Sequence, residues 1–111
     1  MTEKYFFKSY IPPKLEGYQK EKLLKAVEDE IAKIPKLKKA ITNVRYSRNW
    51  VYLYHKSRIE EGKNEMLYRI AVYDDSYNEC ALELPHKSKV IIQKEGTLKE
   101  CIEKAQKAWY L

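Results

Sequence analysis

The sequence predicts an α+β fold: a two-layer sandwich with a mainly antiparallel sheet of four to five strands and two helices on one face, in the order β-α-β-β-β-β-α. Three observations predict it. Two segments repeat apolar residues at three- and four-residue steps, the period of an amphipathic helix. The segments between them are short, rich in aromatic and β-branched residues, and separated by turn chemistry. The chain has 111 residues, enough for one domain (1–111) and too few for two ordinary ones.

Tyr5 to Ile11 is aromatic-rich and is cut off by Pro12-Pro13, so it reads as a first strand. Tyr18 to Ile34 reads as a helix: Leu24, Val27, Ile31 and Ile34 form a stripe that Leu23 widens. Pro35 lacks an amide hydrogen and disfavours helix at the residue before it, so the helix should end there. Ile41 to Tyr46 reads as a short strand, with Ser47-Arg48-Asn49 as a turn or bulge. Trp50 to His55 is almost wholly aromatic or branched and reads as a strand. Residues Glu60 to Asn64 carry hairpin chemistry, with Gly62 or Asn64 able to take positive φ. Met66 to Tyr73 is the next strand, and Asp74 to Asn78 the next turn. Glu79 to Leu84 alternates apolar and polar residues, and Pro85 should stop it. Val90-Ile91-Ile92 reads as a short strand or a buried connector. Thr97 and Glu100 have the spacing of a capping box, in which each side chain satisfies an unpaired amide of the first helical turn. Leu98, Cys101, Ile102, Ala105 and Trp109 then make one stripe, giving a helix from Thr97 to about Tyr110.

Composition narrows the function classes. Apolar residues are 44% and charged residues 34%, a globular balance; glycine numbers three and proline four, which excludes collagen-like and low-complexity chains. No apolar run reaches the roughly 18 residues of a membrane span. Met1-Thr2-Glu3-Lys4 lacks the apolar start of a secretory signal, so a cytoplasmic protein without membrane partners is the expectation. On that expectation Cys80 and Cys101 read as free thiols and small buried hydrophobes with no zinc-like spacing, and a disulfide between them requires a fold that juxtaposes them.

The net charge is +6. Residues 1–41 hold ten lysines against six acids, and residues 42–73 six basic residues against three acids; the remainder is slightly acidic. All four arginines (Arg45, Arg48, Arg58, Arg69) fall in the middle third. Arginine is the planar, stacking, bidentate cation; lysine is a mobile point charge.

Two helices can cover only one face of the sheet, so the other face is expected to stay open. If Val51 and Leu53 point beneath the helices, Trp50, Tyr52 and Tyr54 form a row on the open face. Arg69 and Tyr73 lie beside that row, and Arg45 and Arg48 edge it. Bases stack on exposed rings and guanidinium planes, and phosphates need cations nearby. The expected function is therefore a small basic binding domain that takes single-stranded nucleic acid through this face. The alternative is an interaction or inhibitor protein that docks the same patch, or a basic helix face (Lys20, Lys22, Lys25, Lys33), onto an acidic partner; interfaces favour the same residue types. A homodimer through the aromatic patch is a third outcome. No RNP-type pattern or Gly-x-x-Gly loop is present.

The sequence points away from catalysis. His55 and His86 stand in no motif with Cys80, and neither a glycine-rich phosphate loop nor Gly-x-Ser-x-Gly nor His-Glu-x-x-His occurs. A motif-free nuclease or other hydrolase is the residual enzymatic reading. No cofactor or metal is expected. Asp74 and Asp75 read as turn chemistry, and an extended strand holds Glu79 and Glu83 about 13 Å apart, too far for one ion.

Overall fold

Leu23, Val27 and Ile31 recur on one side of the first helix, α1 (Tyr18–Ala32), and all three are buried. The computed structural model describes residues 11–56, 68–86 and 89–109. Most of the expected first strand (Tyr5 to Tyr10), the hairpin chemistry at Glu60 to Asn64, Met66, Leu67 and Tyr110 lie outside the described residues.

Gly17 takes a φ of 59° to turn the chain into α1, a left-handed conformation that glycine adopts without penalty. The helix tightens at its end, where the Lys33 amide donates to the Glu30 carbonyl at 3.2 Å and the Ile34 amide to Ile31 at 3.0 Å. Pro35 then does more than stop α1. It opens a second short helix, α2 (Pro35–Ala40), at the one helical position where a missing amide hydrogen costs nothing. Leu37 and Ala40 of α2 are buried, and Lys36, Lys38 and Lys39 face outward. This helix is absent from the expected order, because a proline reads as a terminator before it reads as a start.

Five strands follow: β1 (Ile41–Ser47), β2 (Trp50–His55), β3 (Tyr68–Val72), β4 (Cys80–His86) and β5 (Lys89–Gly96). They form one antiparallel sheet in which spatial order equals chain order. The fold class is the expected one, α+β with helices packed on an antiparallel sheet. Val90-Ile91-Ile92 belongs to a full strand, and Val90 and Ile91 are exposed on it rather than buried. Pro85 does not end β4: it pairs with Val90, and His86 lies in the strand opposite Lys89 rather than in a loop. Among the described residues β3 pairs with β4 only from Arg69↔Glu83 onward, so Pro85 sits where β4 has one ladder to satisfy. Both outer strands carry an irregularity, between Ile41 and Asn43 in β1 and opposite Leu82 and Glu83 in β5. Such bulges blunt an edge against unwanted pairing.

The last helix, α3 (Leu98–Trp109), opens with the expected capping box. The Thr97 amide donates to Glu100 Oε1 at 2.9 Å, and the Glu100 amide donates to Thr97 Oγ1 at 3.1 Å. Gly96 has a φ of 157°, and a Cβ there would collide with the Glu100 carboxylate that closes the box. The core lies between the helices and one sheet face. Leu23, Val27, Ile31, Leu37, Leu98 and Ile102 pack on Val51, Leu53, Ile70, Val72 and Leu82. Each such aliphatic side chain contributes about 1.5–3 kcal/mol by leaving water.

Candidate binding surface

The pleat decides which way the aromatic row of β2 looks. Val51 and Leu53 are fully buried in the core cluster, so the aliphatics point beneath the helices and Trp50, Tyr52 and Tyr54 project from the opposite face. Cross-strand register carries the row across the sheet: Arg45 pairs with Tyr52, Tyr52 with Arg69, and Arg69 with Glu83.

That face is not the open platform expected from the sequence. Tyr52 retains only 6% of its exposure and Glu83 only 4%, and Ala71 and Ala81 are buried too, though none of the four belongs to the core cluster. Among the described residues, Arg69 supplies part of this cover, laid over Trp50 and against Glu83. Arg69 donates from Nε to Glu83 Oε1 at 2.7 Å, and its guanidinium carbon sits 3.9 Å from the Trp50 ring centroid. The Arg69 charge is thereby matched by a carboxylate, and one face of Trp50 is taken by a cation–π contact. Glu83 thus faces away from the helices as expected, but into this cluster rather than into water.

The electrostatics of the cluster follow from burial. Loss of water pushes the Glu83 carboxyl above the usual carboxylate range, and the Arg69 hydrogen bond and charge only partly oppose it. The Trp50 indole N–H is buried within the field of the same carboxylate, outside hydrogen-bond geometry. Tyr73 is half-buried, and its phenol is pushed up to about 12, first by burial, then by Glu83 and Glu95 against the pull of Arg69. Glu95, a neighbour that the sequence reading missed, has a buried Oε2 that accepts no hydrogen bond. Only the register Ala81↔Glu95, across a bulge, brings it here, and no local pattern announces that.

The accessible part of the surface is the β1–β2 hairpin. Arg45 and Arg48 are exposed, and Trp50 and Tyr54 are partly exposed. Among the described residues neither arginine makes an ion pair or hydrogen bond. Arg48 occupies the two-residue turn with a φ of 60°, a conformation that costs a side-chain-bearing residue about 1–3 kcal/mol. Asn49 anchors the turn by donating from Nδ2 to the Pro12 carbonyl at 2.6 Å. The Tyr46 hydroxyl, on the core side of β1, accepts from the Leu15 amide at 2.9 Å and fixes the same segment. Of the seven expected site residues, Arg45, Arg48, Trp50 and Tyr54 share this hairpin. Tyr52 belongs to the same hairpin but is buried, and Arg69 and Tyr73 belong to the Glu83 cluster.

The remaining reactive side chains fall elsewhere. Cys80 and Cys101 are free and buried in the core; burial pushes both thiols up, that of Cys101 to about 12. His55 is buried, which lowers its pKa. Asp74 uses its carboxylate within its own turn, accepting from the amides of Asn78 at 3.0 Å and Glu79 at 2.8 Å. Among the described residues no three His, Cys, Asp or Glu side chains gather as a metal site, and no helix is long and apolar enough to cross a membrane.

The fold and this surface define the chain as a basic α+β two-layer sandwich. Comparison with protein-family models, with curated proteins and with solved structures gives no match.

Proposed function

We propose that the chain is a basic binding domain that takes single-stranded nucleic acid on its β1–β2 hairpin. Arg45 and Arg48 hold phosphates; the Tyr54 ring and the exposed part of Trp50 give bases a surface to stack on. Arg69 and Glu83 fix Trp50 from beneath. The observation that carries the reading is Arg48: an exposed cation, unpaired among the described residues, at a left-handed turn position where glycine or asparagine would cost less. Strain of that kind supports a use for the side chain.

The test is fluorescence anisotropy of a labelled single-stranded RNA and a DNA of the same sequence over a range of salt. Binding should weaken linearly in log–log form. Removing both arginines (Arg45→Ala with Arg48→Gly) should flatten the slope by about 1.4, given roughly 0.7 per phosphate contact on single strands. Absence of binding at low salt, or a slope indifferent to both substitutions, overturns the proposal. Equal affinity for poly-glutamate would transfer the surface to an acidic protein partner.

A further inference from the structure

A cleft of about 270 Å³ lies between the start of α1 and the β3–β4 turn. Leu15 and Val72 line it with aliphatic carbon, Tyr18 and Tyr77 with rings, and Asp75 and Lys22 with charge. The turn is clamped at both ends. Asp74 holds the amides of Asn78 and Glu79, and the Tyr77 carbonyl accepts from the Leu98 amide at 2.9 Å. Within it Tyr77 is held at a φ of 59°, which fixes where its ring can stand. Tyr18, facing it from the first turn of α1, is 77% exposed and gains little from burial in its own fold.

Asp75 and Lys22 are charged side chains of opposite sign at the cleft. Burial, and after it the Asp75 charge, push the Tyr77 phenol up, so the carboxylate acts on the ring itself. Two ring faces, an apolar lining and an exposed carboxylate are what an organic cation requires, because the π-face and the acid attract the charge while the carbon lining takes the methyl groups. The volume is below that of a drug-sized site and suits a head group on a short chain. We propose that this cleft binds a small-molecule quaternary ammonium, with Tyr18 and Tyr77 as ring walls and Asp75 as counter-charge. Lys22 is the opposing cation at the same cleft and should weaken the site. Nothing in this assignment depends on what the β1–β2 hairpin binds.

The experiment is an NMR titration of the full chain with choline, following the Tyr18 and Tyr77 ring resonances, beside its uncharged isostere 3,3-dimethylbutan-1-ol. Choline should shift both rings and saturate at millimolar concentration, with the isostere about tenfold weaker, the worth of one cation–π contact of moderate strength. Asp75→Asn and Tyr18→Ala should each weaken binding several-fold, and Lys22→Gln should tighten it. Both positions 18 and 75 are exposed, so their variants keep the fold. Unmoved rings, or equal binding of the isostere, overturn the proposal. Much tighter binding of a trimethyllysine peptide than of choline overturns the small-molecule assignment in favour of a protein tail.

Discussion

Arg69 is held between two partners: its Nε donates to Glu83 at 2.7 Å, and its guanidinium lies 3.9 Å from the centroid of the Trp50 ring. The side chains of Arg69 and Glu83 keep 15% and 5% of their exposure. Removing one member of a buried pair strands the other charge and costs about 3–5 kcal/mol, whereas replacing both by apolar groups can be close to neutral. Arg69→Met should therefore destabilise the chain by about that amount, and Arg69→Met with Glu83→Leu should recover most of it. Urea denaturation of the two singles and the double closes the cycle; additive losses would mean that the pair is not coupled.

Acid should act on the fold through two groups of opposite sign. The His55 pKa is lowered by burial from 6.5, so the unfolded chain takes up that proton first; the stability involved is complete above pH 6.5 and declines as pH falls below it. The Glu83 pKa is raised from 4.5 by burial, so the folded chain takes up that proton first, and stability tied to it is present below 4.5 and lost as pH rises through the folded value. Denaturation midpoints between pH 7 and pH 4 should fall less steeply in His55→Phe and more steeply in Glu83→Gln than in the parent.

Cys80 and Cys101 should resist a thiol reagent at pH 8 for as long as the chain is folded. Both are buried and both thiols are pushed up, so almost no thiolate is exposed to react. Mass spectrometry after iodoacetamide should find no adduct in native buffer and two after unfolding; rapid native labelling would contradict the placement of these residues in the core.

Replacing Arg48 by glycine should raise stability by about 1 kcal/mol, through relief of the left-handed backbone, while weakening oligonucleotide binding. Thermal melts and anisotropy on the same sample report the two effects. A loss on both measurements would make Arg48 a structural residue.

Thr97→Ala should cost about 1 kcal/mol, the ordinary worth of a side-chain cap. Because both hydrogen bonds of the box pass between Thr97 and Glu100, Thr97→Ala and Glu100→Ala together should cost less than the sum of the two. Chemical denaturation of the three variants checks this.

The sequence made the elements legible where a single period governs them. The stripe Leu24, Val27, Ile31 and Ile34 and the Thr97–Glu100 spacing found α1 and the start of α3, because both are local signals, although the helix buries Leu23 rather than Leu24 and ends at Ala32. Val51 and Leu53 point beneath the helices, the condition on which the aromatic row of β2 was expected. The burial of Tyr52 and Glu83 was not legible, because it depends on register: Arg69 reaches Glu83 only through the pairing of β3 with β4, and Glu95 joins them only across a bulge. The cleft at Tyr77 was hidden for a related reason. Its walls come from α1 and from a turn some sixty residues later, and the positive φ that fixes Tyr77 falls on a residue type that gives no hint of it.

Among the described strands each neighbours its successor, so every pairing joins segments that follow one another in the chain and little search is needed. The exception is the lid of the core. Until α3 has emerged and docked, Leu82, Ile70 and Cys80 have only part of their shelter, so the sheet is complete one helix before it is dry. That interval is when this chain is most open to aggregation, and when a chaperone would find most apolar surface to hold.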